Sequence, residues 1–220
     1  MRSKKFILLL LLSSFIALSA CGESVDTQIY NHLEEAVNLE KGFEDQQSII
    51  NDLEKQEQEI YDQIIELGMD DFKTIQELAV EAIAVIEERT EYIEVEKNSI
   101  DESRQEFEKA ESLISEIDDE DTKEKAEEMY TAMMERYQSY DELYEAYTKS
   151  LSLERELYDM LQQEEMEQET ITEHIATINE SYDEVIKANE AFNEHTIAYN
   201  ELKKTYYEVA DIKVTYADEN

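Results

Sequence analysis

The amino-acid sequence predicts an all-α protein: an elongated antiparallel, up-and-down four-helix bundle with coiled-coil-like heptad packing. Three observations carry that prediction. The 220 residues contain no proline and only three glycines, so almost nothing interrupts a helix. Four long segments place apolar side chains every seven residues with a second set beside them, the stripe that packed helices share. No segment alternates apolar and polar residues over a length that would make a strand.

The first helix is expected over residues 26–67. Its series is Ile29, Ala36, Phe43, Ile50 and Ile64, broken by Glu57 and flanked by Leu39, Leu53, Ile60 and Leu67. Gly68 offers a C-cap, and Asp70 or Asp71 an N-cap for the next helix. That second helix, over 71–117, carries an unbroken series: Phe72, Ala79, Ile86, Ile93, Ile100, Phe107 and Ile114. Its companion positions are apolar at Ile75, Ala82, Ala110 and Ile117 but polar at Arg89, Glu96 and Ser103.

The run Asp118-Asp119-Glu120-Asp121 separates the second and third helices, with Asp121 read as the cap and Glu124 reaching back to it. The third helix, 122–162, repeats Tyr130, Tyr137, Tyr144, Leu151 and Tyr158 beside Met133, Tyr140, Tyr147 and Leu161. Residues 163–169 lose the periodicity, and Thr170 with Glu173 forms a capping box ahead of the fourth helix. That helix, 171–210, repeats Ile171, Ile178, Val185, Phe192, Tyr199 and Tyr206. Residues 211–220 read as a loose tail. Each helix is about 60 Å long at 1.5 Å per residue, and short connections make neighbours antiparallel. One stripe per helix suits one shared core, hence a single bundle domain over residues 26–210. The alternative is a set of helical hairpins with mobile joints.

The N-terminal segment has a different composition. Arg2, Lys4 and Lys5 precede the apolar run Phe6–Leu12, then Ser13 and Ser14 interrupt before Phe15–Leu18. The stretch is too short and interrupted for a comfortable membrane span and has the parts of an export signal. It ends in Leu18-Ser19-Ala20-Cys21-Gly22, which resembles the lipobox of bacterial lipoproteins. The resemblance implies removal of residues 1–20 and attachment of acyl chains, palmitate among them, to Cys21. Residues 21–25 then form a tether, and the protein is anchored on the extracytoplasmic face of the cell membrane. A plain cleaved signal and an uncleaved anchor are the other readings of such a segment. Cys21 is the only cysteine, so no disulfide braces the fold.

Residues 1–20 contain three of the 19 basic residues and none of the 57 acidic ones. The remaining chain therefore carries 16 basic and 57 acidic side chains, a formal balance of −41. Such a field repels nucleic acid and anionic lipid headgroups, which argues against either as a direct ligand. The Glu-rich faces read first as solvated helix surface.

The residues offer no catalytic, cofactor or metal site. The residues three before His32, His174 and His195 are Ile29, Ile171 and Phe192, so the Glu-x-x-His pairs of di-iron bundles are absent. Asp118 to Asp121 lacks the glycine and spacing of a calcium loop, leaving at most weak binding of divalent cations. Neither a phosphate-binding loop nor a Gly-x-Ser-x-Gly turn occurs. The compositional oddity is tyrosine: Tyr137, Tyr140, Tyr144 and Tyr147 lie on one helix face. They make either an amphipathic core edge or a row of rings on which a saccharide stacks.

Several segments resemble the cell-wall-binding lipoprotein family of Bacillus-type Gram-positive bacteria. They are IYNHLEEAVNLEKGFEDQQ (29–47), LEKQEQEIYDQIIELGM (53–69), RYQSYDELYEAYTKSLSLERELYDML (136–161) and INESYDEVIKANEAFNEHTIAYNELKKTYYEVA (178–210). The resemblance implies a helical bundle outside the cell, tethered to the membrane, and brings no catalytic or ligand residues. The expected function is therefore non-enzymatic: binding of cell wall or peptidoglycan, or spacing a partner from the membrane. The alternative is an adaptor or regulatory subunit that uses an acidic helical face.

Overall fold

The computed structural model describes residues 23–67, 71–165 and 167–214. The expected signal, Cys21, the Gly68 cap and residues 215–220 of the tail lie outside them. The described elements are α1 (Val25–Leu39), α2 (Lys41–Leu67), α3 (Phe72–Phe107), α4 (Ala110–Ile114), α5 (Glu120–Leu161) and α6 (Gln168–Val209). They form four antiparallel rods: α1 with α2, α3 with α4, then α5 and α6. The last two have 42 residues each, about 63 Å of helix.

Two of the expected helices are interrupted. The first breaks at Glu40, where the Ser99 hydroxyl of α3 donates to the Leu39 carbonyl at 2.6 Å and accepts from the Phe43 amide at 3.2 Å. The same serine explains Gly42: a Cβ there would lie 3.0 Å from the Ser99 Cβ and Oγ, so the two backbones approach closely only with glycine. The second changes winding after Phe107. Lys109, Glu111, Glu116 and Ile117 donate to carbonyls three residues back, the tighter pattern of a 3₁₀ turn.

Capping corrects three boundaries and supports another. Asp71 caps α3 as expected, its side chain accepting from the Thr74 amide. Asp119 rather than Asp121 caps α5, accepting from both the amide (2.9 Å) and the hydroxyl (2.7 Å) of Thr122. Asp121 thus falls inside the first turn, where its charge favours the helix N-terminus. The Thr170–Glu173 box is not used: α6 starts earlier, at Gln168, because Gln168 and Glu169 are themselves good helix formers. The tail is not loose at its start. Asp211 takes a left-handed conformation (φ 51°), and the Ile212 amide donates to the Tyr207 carbonyl at 2.9 Å, a Schellman-type ending. Ile212 and Val214 then pack against the core.

Packing is of the predicted kind. α2 lies along α3, α3 against α5, and α5 along α6, while α1 sits on α3 and α4. The fourth side closes unevenly. At one end Tyr206 and Tyr207 of α6 donate to Asp26 and Glu34 of α1 at 3.2 and 2.9 Å. Farther along, α2 and α6 have no close backbone approach.

The core is divided rather than continuous. One apolar cluster centres on Ile29, Leu33, Phe107, Met129, Tyr199 and Tyr206, the other on Ile60, Ile75, Ala79, Ile86, Leu151 and Tyr158; Tyr144 packs against both. On α3 the division falls between Ile93 and Ile100, at Glu96, one of three buried polar companion positions with Arg89 and Ser103. The polar residues of the stripe point inward.

Candidate functional site

The three polar positions lie seven residues apart, about 10.5 Å along α3, and each collects partners from other helices. Ser103 meets the Tyr137 hydroxyl at 2.7 Å and donates to Glu40 at 3.0 Å. Glu40 also holds Arg136 through two bonds of 2.8 Å, and Arg136 stacks over Phe192 at 4.9 Å. Glu96 accepts from Gln47 at 2.6 Å and from Tyr140 at 3.5 Å.

Arg89 is the centre of the most highly charged layer. Its guanidinium donates to Glu57 of α2, to Glu154 of α5 at 2.8 Å, and to the Tyr147 hydroxyl at 2.9 and 3.2 Å. Tyr147 in turn donates to Glu54 at 2.8 Å. Arg89, Glu57 and Glu154 are all buried, so one cation stands against two buried carboxylates with a third, Glu54, half-exposed at the rim. Desolvation alone makes such a cluster costly, and only complete pairing offsets it. The pairing is incomplete: the Glu154 Oε1 atom is buried and has no hydrogen-bond donor among the described residues. The Tyr182 hydroxyl of α6 faces that carboxylate.

These environments move protons. Burial pushes the Glu57 carboxyl up to about 8, helped by the Glu154 charge and opposed by Arg89. Burial likewise raises Glu96 to about 7, against the hydrogen bonds from Gln47 and Tyr140. Both groups bind a proton more readily folded than unfolded, where a value near 4.5 applies. Their stabilising contribution is thus complete below pH 4.5 and is lost as pH rises through 7 and 8. Asp71 and Asp119, whose hydrogen bonds from Thr74 and Thr122 lower them, act only at more acid pH. The melting temperature should therefore be several degrees lower at pH 8 than at pH 5, and Glu57→Gln with Glu96→Gln should flatten the profile. A melting temperature that rises over that interval would refute the assignment.

Where α2 and α6 stand apart, a groove opens over these layers. Its two adjoining cavities hold about 490 Å³ and about 500 Å³. Glu54, Tyr147, Val185 and Ile186 border both, so the depression is continuous. The first is floored by Arg89, Glu57 and Glu154 and walled by Tyr61, Tyr158 and Tyr182. The second carries the amides Gln47, Asn51, Asn189 and Asn193 over a packed trio of Phe43, Tyr140 and Phe192. From Ile175 to Asn193 it follows about 27 Å of α6.

The tyrosine row divides between these settings. Tyr137 and Tyr140 are buried, Tyr147 nearly so, and Tyr144 half-buried. Tyr140, Tyr144 and Tyr147 border the groove, whereas Tyr137 lies against Ser103 outside it. The histidines do not converge. His32 bonds Glu106 at 2.6 Å, His174 donates to the Leu153 carbonyl at 2.8 Å, and His195 stands 3.7 Å from Glu135. Among the described residues no group of three or more His, Cys, Asp or Glu side chains is placed to hold a metal ion. The charged layer itself was not anticipated. Its trace in the sequence is the gap at Glu57 in one stripe and Arg89 in another.

Comparison with known proteins places this bundle. Residues 24–209 match the model of the YkyA family, described as "Putative cell-wall binding lipoprotein". The chain belongs to that family. A YkyA relative from Bacillus subtilis (strain 168), "Uncharacterized lipoprotein YkyA", is 32% identical over 200 residues, covering 90% of each chain. The crystal structure of a conserved protein of unknown function from Staphylococcus aureus shares the fold. It superposes with a TM-score of 0.73 at 16% identity, over 84% of this chain and 96% of that one. The YkyA family is the one that the segments at 29–47, 53–69, 136–161 and 178–210 resemble. Among the described residues no helix is long and apolar enough to cross a membrane.

Proposed function

We propose that this YkyA-family chain is a non-enzymatic lipoprotein that binds cell-wall polymer in the groove between α2 and α6. In this reading residues 1–20 are removed and acyl chains on Cys21 hold the protein at the extracytoplasmic face of the membrane. Residues 26–210 then present the groove as one bundle. The groove itself carries the proposal. It is concave, long enough for a linear polymer, and combines aromatic rings with four amide side chains. Amides exchange hydrogen bonds with hydroxyl and N-acetyl groups, while rings cover the apolar face of a sugar.

Binding without cleavage fits the carboxylates. A glycoside-cleaving pair sets an acid and a base on opposite sides of the bond. Here Glu57 and Glu154 converge on one guanidinium instead. The net charge adds a condition: a wall rich in phosphate repels this acidic rod at long range, so attraction must act at contact. Screening over a Debye length of about 10 Å at 0.1 M salt relieves that repulsion.

The test is pelleting of the full lipoprotein, in detergent, with isolated walls across a NaCl and Mg²⁺ series. Retention should rise with moderate salt, with no soluble sugar released. Replacing both exposed amides, Asn189→Ala with Asn193→Ala, should weaken it roughly tenfold, two neutral hydrogen bonds contributing about 0.7 kcal/mol each. Retention that falls steadily with salt, or is unmoved by the amide substitutions, would overturn the groove assignment. Absence of retention under every condition would favour the adaptor role, with a basic protein partner meeting the acidic faces.

A further inference from the structure

We propose that the deep end of the groove is an ammonium-binding subsite, in which Glu154 and Glu57, with Glu54 at the mouth, hold a primary amine of a cell-wall stem peptide. The inference rests on the wall-binding reading and names the chemistry recognised at one end of it.

Geometry and charge both favour a cationic donor. The lining of this cavity brings three carboxyl groups, Glu54, Glu57 and Glu154, beside one cation, Arg89, with the Glu57 carboxyl protonated up to about pH 8. Arg89 donates to Glu154 through Oε2 alone, and Oε1 of the same carboxylate is left buried without a donor. A buried carboxylate oxygen in that condition costs free energy until a donor reaches it. Glu154 borders the cavity, so the donor can come from a bound molecule. A primary ammonium group fits the vacant acceptors well. It carries three N–H donors and one positive charge, enough to bond Glu154 Oε1 and neighbouring oxygens while restoring the local charge balance. A metal ion fits poorly, because these carboxylates are already shared with a guanidinium and no metal-holding group exists among the described residues.

The walls favour the same ligand. Tyr147, Tyr158 and Tyr182 supply ring faces to which an alkylammonium is attracted, and the Tyr158 and Tyr182 hydroxyl oxygens can accept its N–H bonds. Oε1 has no solvent-exposed surface, so a ring must move to admit the ligand. Tyr182 can do so: it is 40% exposed, against 9% for Tyr147 and 2% for Tyr158.

Binding is coupled to protons. The groups facing the ligand are Glu54, Glu57 and Tyr61 from α2, Arg89 from α3, Tyr147, Glu154 and Tyr158 from α5, and Tyr182 from α6. Of these, Glu57 holds its proton up to about 8. An arriving ammonium displaces that proton, so affinity should increase about fifty-fold from pH 6 to pH 8, while an alkyl amine stays charged (pKa about 10.4).

The experiment uses the full lipoprotein in detergent and two peptides, Nα-acetyl-Lys-D-Ala-D-Ala with a free side-chain amine and its Nε-acetylated counterpart. Calorimetric titration should show binding of the first, about tenfold or more weaker binding of the second, proton release, and the stated pH dependence. Glu154→Gln should weaken the free-amine peptide about tenfold. So should Glu54→Gln to a smaller degree, and Glu54 is exposed enough to leave folding intact. Walls stripped of teichoic acid and then acetylated on their amines should be retained about tenfold less well than stripped walls alone, which separates stem-peptide amines from aminoacyl esters on the polyanion. Equal binding of the two peptides, or undiminished retention of acetylated walls, overturns the ammonium subsite and leaves wall binding standing. Binding of the free-amine peptide by a protein that retains no wall supports the subsite and overturns the wall reading. No binding of peptide or wall overturns both.

Discussion

Arg89→Met should cost about 3–5 kcal/mol of folding stability at pH 8, the loss expected when one partner leaves a buried ionic cluster. That is a large share of the roughly 5–15 kcal/mol by which a folded protein exceeds its unfolded state. Among the described residues the guanidinium is the only cation in contact with Glu57 and Glu154, and it also holds the Tyr147 hydroxyl. Met keeps the aliphatic bulk, so the loss measures unbalanced carboxylates rather than a hole in the core. Two controls sharpen the result. At pH 5 the deficit should shrink, because protonation neutralises the Glu57 carboxyl that the missing arginine leaves behind. Adding Glu57→Gln and Glu154→Met should recover most of the stability, since replacing a whole buried cluster is often neutral or favourable. Urea unfolding of the full lipoprotein, followed by circular dichroism, gives all three values. A loss below about 1 kcal/mol for Arg89→Met would mean that water reaches the cluster and the buried description is wrong.

Cys21→Ser should change the location of the protein altogether. The proposed anchor is the diacylated thiol, and a hydroxyl in its place accepts no lipid through the same pathway. Membrane hold by acyl chains scales at about 0.8 kcal/mol per buried CH₂, which makes two chains firm and none ineffective for an acidic bundle. Metabolic labelling with a palmitate analogue should mark the native chain and leave the variant blank. Fractionation should then find the variant unprocessed or released from the membrane. A labelled, normally anchored Cys21→Ser protein would refute the assignment. The stability of the described bundle, which begins at Glu23, should not differ between the two forms.

Much of this architecture was readable in advance because helix formation and stripe placement are local properties. The seven-residue series from Phe72 to Ile114 needs only the helical period to put its members on one face, and six of the seven are buried in one or other apolar cluster. The boundaries were less legible, since a cap depends on which of several acidic residues wins a competition for the same amides. Asp119 prevails over Asp121 because Thr122 gives it both an amide and a hydroxyl. The break at Glu40 was invisible, because its cause is Ser99, 60 residues away from the Leu39 carbonyl it bonds.

The candidate site follows the same division. Sequence alone showed polar residues at Arg89, Glu96 and Ser103 in an otherwise apolar register, and a missing apolar residue at Glu57. It also determined the class of fold, the antiparallel order of long helices and the family. Only the tertiary structure decided which interruptions meet. Arg89 reaches Glu57 across 32 residues and Glu154 across 65, pairings set by how far each antiparallel helix is shifted along its neighbour. That shift is fixed jointly by turns, caps and the packing of every layer. A stripe pattern repeats every seven residues and is satisfied by any shift of seven, so periodicity cannot choose among them. Buried charge can, because a misplaced carboxylate in the core pays a desolvation penalty that no apolar contact returns. The opening between α2 and α6 is decided in the same way: α6 buries only part of its stripe, leaving Tyr182 and Ile186 exposed beside the charged floor.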